Sequence, residues 1–226
     1  LKTFDVSLDI SKKLSSKIDV YILMSHFSSA DELKNLYSEK QNKNFKSVFN
    51  SFKSIKYKSL SNSAGIIRNK NFHYDIIRPG ISLYGGYENR KLKKMLPVNA
   101  IVKLKAKILQ IKYINKNEFV GYNQTYKTKK KTKVAILGIG YGDGVNRILS
   151  SNGYVYFKKQ RFKIIGRISM DSMTVSITNS KYKLSSGMYM ELINSENDIE
   201  KIATKCNTIS REILTSISQR VKRIYI

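Results

Sequence analysis

Two rhythms divide this chain of 226 residues. Up to about residue 92, short apolar runs of strand length alternate with a stretch at helical spacing. Ile18-Asp19-Val20-Tyr21-Ile22-Leu23-Met24 is one such run, and it ends at Ser25-His26-Phe27. Asp31 stands where a helix N-cap would, and apolar side chains then recur at 33, 36, 37, 45, 48, 49, 52 and 55, as on one helix face. A second short segment ends at Ser61-Asn62-Ser63-Ala64-Gly65. A third, Tyr74-Asp75-Ile76-Ile77, ends at Arg78-Pro79-Gly80-Ile81. Strand, helix, strand and strand, each closed by polar or glycine residues, predict part of a β/α barrel. Ligand-facing residues in such barrels gather at the C-terminal ends of the strands.

After residue 92 the period shortens to two. Apolar and basic residues alternate from Val98 to Tyr113, and short strands are predicted near 133–139, 154–157, 161–165, 173–178 and 189–193. This part reads as a mostly antiparallel sheet domain or small barrel. Ile199, Ile202, Ala203, Cys206 and Ile209 return to helical spacing, and Ile213 and Ile217 suggest one more short helix. Arg220-Val221-Lys222-Arg223-Ile224-Tyr225-Ile226 looks like a closing strand. The expected fold is therefore α/β plus β: a partial β/α barrel over 1–92, then a β-rich domain over 93–226.

Composition changes the picture little. The net charge of +26 invites a nucleic-acid or anionic-membrane reading. Yet 33 lysines stand against 9 arginines, and 28 isoleucines against 6 alanines and 2 prolines. Lys, Ile, Asn, Tyr and Phe have AT-rich codons, so base composition accounts for the excess, and the expectation is no nucleic-acid partner. The dense run Lys127-Thr128-Lys129-Lys130-Lys131-Thr132-Lys133 reads as a hairpin turn leading into a strand. No apolar stretch reaches the length of a bilayer span, so no membrane partner is expected. Leu1-Lys2-Thr3-Phe4-Asp5 lacks the apolar core of a secretory signal and does not begin with Met, which predicts a partial chain. One cysteine, Cys206, excludes an internal disulfide and reads as a buried thiol on a helix.

Candidate chemistry lies in glycine-punctuated blocks. Val120-Gly121-Tyr122-Asn123-Gln124-Thr125-Tyr126 is followed by Gly138-Ile139-Gly140-Tyr141-Gly142-Asp143-Gly144, then by Gly166-Arg167-Ile168-Ser169-Met170-Asp171-Ser172-Met173. With Met24-Ser25-His26-Phe27, Ser61-Asn62-Ser63-Ala64-Gly65 and Arg78-Pro79-Gly80-Ile81-Ser82-Leu83-Tyr84-Gly85, they stand in the order found in the alanine racemases. The chain resembles the C-terminal portion of that family, whose members use pyridoxal 5'-phosphate (PLP) to interconvert L- and D-alanine for bacterial peptidoglycan.

The resemblance implies a set of roles. Ser63 and the backbone of Gly80 and Ile81 would bind the PLP phosphate, and Asn62 would join them in the cofactor site. Read alone, Ser63 is more readily a helix N-cap. Arg78 would face the pyridine nitrogen, and a guanidinium only donates, so that nitrogen would stay unprotonated. Tyr122 would be a catalytic base, tuned through His26 and Arg78. Tyr141 and Met170 would meet the substrate, and Asp143 and Asp171 would brace their loops. No metal is implied. The family works as a cytoplasmic, head-to-tail homodimer in which the sheet-domain residues serve the other subunit.

Two departures stand out. A block resembling Val-Lys-Ala-Asn-Ala-Tyr-Gly-His-Gly, which carries the PLP lysine, is absent despite the many lysines, and so is the block whose arginine binds the substrate carboxylate. Roughly five barrel strand–helix units are expected to be missing, leaving residues 1–226 inactive alone. The alternative is a non-catalytic remnant or a partner fragment of a split gene. Arg211 occupies a position where the family has a phosphate-contacting tyrosine.

Overall fold

The computed structural model describes residues 20–52, 55–196 and 198–226. Ile18 and Asp19 of the first expected strand, and the stretch Leu1–Asp5, lie outside them. The chain divides into two compact units. One holds the described residues up to Leu83 together with Asn89–Pro97, and the other holds Tyr84–Glu88 together with Val98–Ile226.

The first described elements of the first unit are a strand, β1 (Ile22–Met24), a helix, α1 (Tyr37–Asn50), and a second strand, β2 (Tyr57–Ser59). The strands run parallel, Ile22 opposite Tyr57 and Met24 opposite Ser59. A helix carrying the chain back between parallel strands is the repeat of a β/α barrel. Phe45 of α1 is buried against the edge of Tyr74, ring centroids 5.0 Å apart. The helix begins at Tyr37, not after Asp31. Arg68 explains the delay: its guanidinium donates to the carbonyls of Ala30, Glu32 and Asn35 and to the Glu39 carboxylate. Those carbonyls are thereby diverted from a helical ladder, and Asn35 Oδ1 accepts the Tyr37 N–H at 2.9 Å instead.

A short helix, α2 (Ser63–Arg68), follows β2, and a single turn, α3 (Leu92–Met95), buries Leu92. Asn62, not Ser63, is the N-cap of α2, its side chain accepting the Gly65 N–H. The third expected strand, 74–77, does not form. Tyr74 sits at φ 53, and the N–H groups of Asp75 and Ile76 both donate to the one carbonyl of Lys58. Side chains finish the attachment: Asp75 accepts the Lys58 N–H, and the Ser59 hydroxyl donates to Ile76 O.

The second unit is built on a closed barrel. Its strands are β3 (Leu104–Ile114), β6 (Thr132–Leu137), β7 (Tyr154–Phe157), β8 (Gln160–Ile165), β9 (Met173–Ser176) and β10 (Tyr189–Ile193), with a small hairpin of β4 (Phe119–Val120) and β5 (Tyr126–Lys127) beside them. All pair antiparallel, in the circular order β10-β3-β6-β9-β8-β7. Inward side chains such as Ile108, Val134, Val155, Ile164, Val175 and Met190 are at most 1% exposed, so period-2 patterning became a filled interior. The lysine run joins β5 to β6, which pair with other strands, so it is a connecting turn and not a hairpin. Helices α4 (Ile199–Lys205) and α5 (Ser210–Thr215) follow, with Cys206 buried at the C-cap of α4. Residues 220–226 form no strand. A closed barrel leaves no edge to receive one, and the Arg223 guanidinium turns back onto the carbonyls of Ile217, Ser218 and Val221.

Candidate functional site

Within the first unit the ends of β1 and β2 bring together most of the residues singled out there. Arg78 lies across both strands. Its guanidinium donates to the Ser59 hydroxyl, to Ser25 O at 2.5 Å and to Leu60 O at 3.5 Å, and Nη2 stands 3.3 Å from His26 Nδ1. Arginine only donates, so His26 Nδ1 is the accepting nitrogen in that contact. His26 Nε2 lies 3.3 Å from Asn62 Nδ2. Burial pulls the Arg78 guanidinium below its ordinary pKa, and among the described residues no carboxylate forms an ion pair with it. A half-buried guanidinium among neutral acceptors keeps a field that a ligand can use.

One turn away, the Ser63 hydroxyl gathers donors. Gly80 N–H donates to Ser63 Oγ at 2.8 Å and Ser82 N–H at 3.4 Å, and the Ser82 hydroxyl stands 3.2 Å away. A Cβ added at Gly80 would stand 3.8 Å from Ser63 Oγ, so glycine keeps the space over the hydroxyl open. The buried side chain of Ile81 anchors the start of a helical turn, Ile81–Tyr84, whose first N–H groups have no acceptor within it. Ser82 was missed in the sequence, although its place in Arg-Pro-Gly-Ile-Ser marks it as a third donor of the same turn.

In the second unit the glycine blocks clasp one another. A Cβ at Gly121 would meet Arg167 N at 2.6 Å, and one at Gly166 would meet Val120 O at 2.5 Å. A Cβ at Gly140 would meet Ser169 O at 2.2 Å. Tyr141 N–H donates to Ser169 O and Gly142 N–H to Met170 O, which sets Tyr141 and Met170 side by side. Both side chains are about half exposed. Tyr122 follows Gly121, and the next two residues, Asn123 and Gln124, hold φ of 58° and 53°. Consecutive non-glycine residues in the left-handed region are a local strain of the kind that clusters at functional sites. The Tyr122 ring is 63% exposed.

The bracing aspartates share a partner that the sequence did not disclose. Arg220 Nε lies 3.4 Å from Asp143 Oδ1, and its Nη2 donates to Asp171. The hydrogen bond that Arg220 donates to Asp171 and the charge of Asp143 raise the Arg220 pKa. Arg211 pairs with Glu88, Nη2 to Oε1 2.5 Å.

The sequence matches the profile of the alanine racemase C-terminal domain over residues 101–225 and that of the alanine racemase N-terminal domain over residues 4–88. The chain belongs to the alanine racemase family. It is 34% identical to the alanine racemase of Brucella abortus, covering 100% of this chain and 59% of that one. It is 35% identical to that of Rickettsia bellii, covering 95% of this chain and 52% of the other. The chain thus spans little more than half the length of these relatives. A crystal structure of alanine racemase from Bartonella henselae with covalently bound pyridoxal phosphate superposes with a TM-score of 0.91 at 36% identity, covering 100% of this chain and 62% of that one. The enzyme from Clostridium difficile 630 gives a TM-score of 0.91 at 34% identity, covering 97% and 59%. The partial barrel followed by a β domain is thus the fold of the corresponding part of these alanine racemases.

The donor set fits a phosphorylated heteroaromatic cofactor at both of its polar ends. The Ser63–Gly80–Ser82 cluster has the chemistry of a phosphate cradle, and Arg78 offers a fixed cation with no carboxylate partner among the described residues. Among the described residues no helix is long and apolar enough to cross a membrane.

Proposed function

We propose that residues 1–226 form the part of an alanine racemase that holds PLP at its phosphate and ring nitrogen and supplies one of the two proton-transfer groups. On this reading residues 1–92 are the C-terminal part of the PLP barrel and residues 93–226 the β-rich domain. The observation that carries it is the convergence of Gly80 and Ser82 donors on the Ser63 hydroxyl, beside an Arg78 whose partners among the described residues are neutral. Bound PLP draws electron density from the substrate Cα and acidifies its hydrogen. This chain's residues do the rest. Ser63 and the N–H groups of Gly80 and Ile81 hold the phosphate, and Asn62 caps the helix that presents Ser63. Arg78 faces the ring nitrogen, and His26 steadies Arg78. Tyr122 takes or returns a proton on one face of Cα. The opposite face needs a lysine, whose block the sequence lacks. Tyr141 lines the substrate approach, and the Met170 N–H takes the substrate carboxylate.

The exposed, strained presentation of Tyr122 supports a head-to-tail homodimer in which it serves the other subunit's site. The product, D-alanine, would feed peptidoglycan synthesis in the cytoplasm. A second reading, a remnant or a partner fragment, draws on Arg211 being paired with Glu88. One experiment separates them. Purified residues 1–226 with added PLP should give no borohydride-fixed lysine adduct and no racemisation above free PLP. Co-expression with the lysine-bearing N-terminal portion of a relative should restore both. Robust activity from the isolated chain would overturn the division of labour, and a folded but inert complex would favour the remnant.

A further inference from the structure

The loops bearing Tyr141 and Met170 are joined by two backbone hydrogen bonds, from Tyr141 N–H to Ser169 O at 3.0 Å and from Gly142 N–H to Met170 O at 2.9 Å. Two carboxylates sit on those same loops. Asp143 Oδ2 accepts the Gly140 N–H at 2.9 Å and so shapes the Tyr141 turn from inside. Its other oxygen faces Arg220 Nε at 3.4 Å, and Arg220 Nη2 donates to Asp171, the neighbour of Met170. The segment that carries Arg220 is itself fastened to this turn. Ser218 N–H donates to Asp143 O, and the Ser216 hydroxyl donates to Gly144 O. The fit leaves no spare volume, since a Cβ at Gly142 would stand 2.5 Å from Arg220 Nη1 and one at Gly144 2.1 Å from Ser216 O.

We propose that Arg220 is a positioning residue: by bridging Asp143 and Asp171 it fixes Tyr141 at the substrate approach and Met170 where its N–H meets the substrate carboxylate. The inference rests on the racemase reading of those two residues. A guanidinium suits the task because its planar fork serves two carboxylates at once, whereas an ammonium is a single point of charge. Without it, two like charges on adjoining loops repel each other. Arg220 is 48% exposed and Asp171 63% exposed, so the bridge adds little to global stability. Its effect is local, and that makes it separable from folding.

The test uses residues 1–226 with Arg220→Met and, as a milder second variant, Asp171→Asn. Amide hydrogen exchange should rise about tenfold at Gly140, Tyr141 and Gly142 in Arg220→Met, and stay level at Val134 and Ala135 of the barrel wall. Arg220→Lys should recover only part of that protection. In the racemase reconstituted with a lysine-bearing N-terminal portion, Arg220→Met should raise the KM for alanine about tenfold with kcat within about twofold. Unchanged exchange at the three loop amides would sink the proposal. So would an equal rise across the barrel wall, which would make Arg220 a fold stabiliser, or a fall in kcat with KM unmoved. A reconstituted wild type that binds PLP but does not racemise would defeat the racemase reading alone, and the exchange data would still judge the clasp.

Discussion

Arg78 keeps its charge among a hydroxyl, two carbonyls and an imidazole, and this neutral company makes it useful to a ligand. Tyr122 is the opposite case, an exposed ring held out by strained neighbours. Its role is testable by isotope exchange in the reconstituted racemase. If Tyr122 serves one face, Tyr122→Phe should slow deuterium wash-in to L-alanine about a hundredfold or more, the usual scale for losing a general base. Wash-in to D-alanine should persist, because a lysine can remove and return a proton on its own face. Equal loss from both enantiomers, in protein that still binds PLP, would count against a one-face base. Sequence motifs led to both residues, but their surroundings came only with the fold. Neither the Ser59 hydroxyl on Arg78 nor Arg220 on the two aspartates has a local signature, since each contact spans many residues of chain.

At the scale of elements, legibility followed the origin of the constraint. The strands Tyr154–Phe157 and Tyr189–Ile193 were read with correct bounds, because alternate burial is written into their own residues. The closing strand over 220–226 was misread because alternation says nothing about whether a free edge exists. The helix start at Asp31 failed because Arg68, far along the chain, takes the carbonyls a helix would need. The glycine clasp predicts a graded mutational response. Gly166→Ala puts a Cβ 2.5 Å from Val120 O at φ 73, while Gly187→Ala meets nothing within 4 Å at φ 90. Both incur backbone strain, but only the first also collides with backbone. Urea unfolding should show Gly166→Ala losing about 2 kcal/mol or more and Gly187→Ala about 1 kcal/mol, at equal m values. Equal midpoints for the two variants would remove close approach as the reason for the glycine block.

The whole molecule carries 42 basic against 16 acidic side chains. Several exposed rings are covered by lysine ammonium groups, as Tyr113 is by Lys131 and Lys133. Such contacts occupy a few cations but leave the net repulsion in place. Raising sodium chloride from about 10 mM to about 200 mM shortens the screening length several-fold and should raise the thermal midpoint of residues 1–226. A midpoint that falls with salt would mean that specific ion pairs outweigh the general repulsion.

The circular strand order has a consequence in time. β10 meets β3, so the last strand of the barrel must find its first before either edge is satisfied. No subset of consecutive strands makes that contact, and the loop-closure entropy must be lost before the gain arrives. Folding of this unit should therefore be slow and all-or-none. A newly made chain would expose open strand edges until β10 has been synthesised, and in that interval it is most in need of a chaperone.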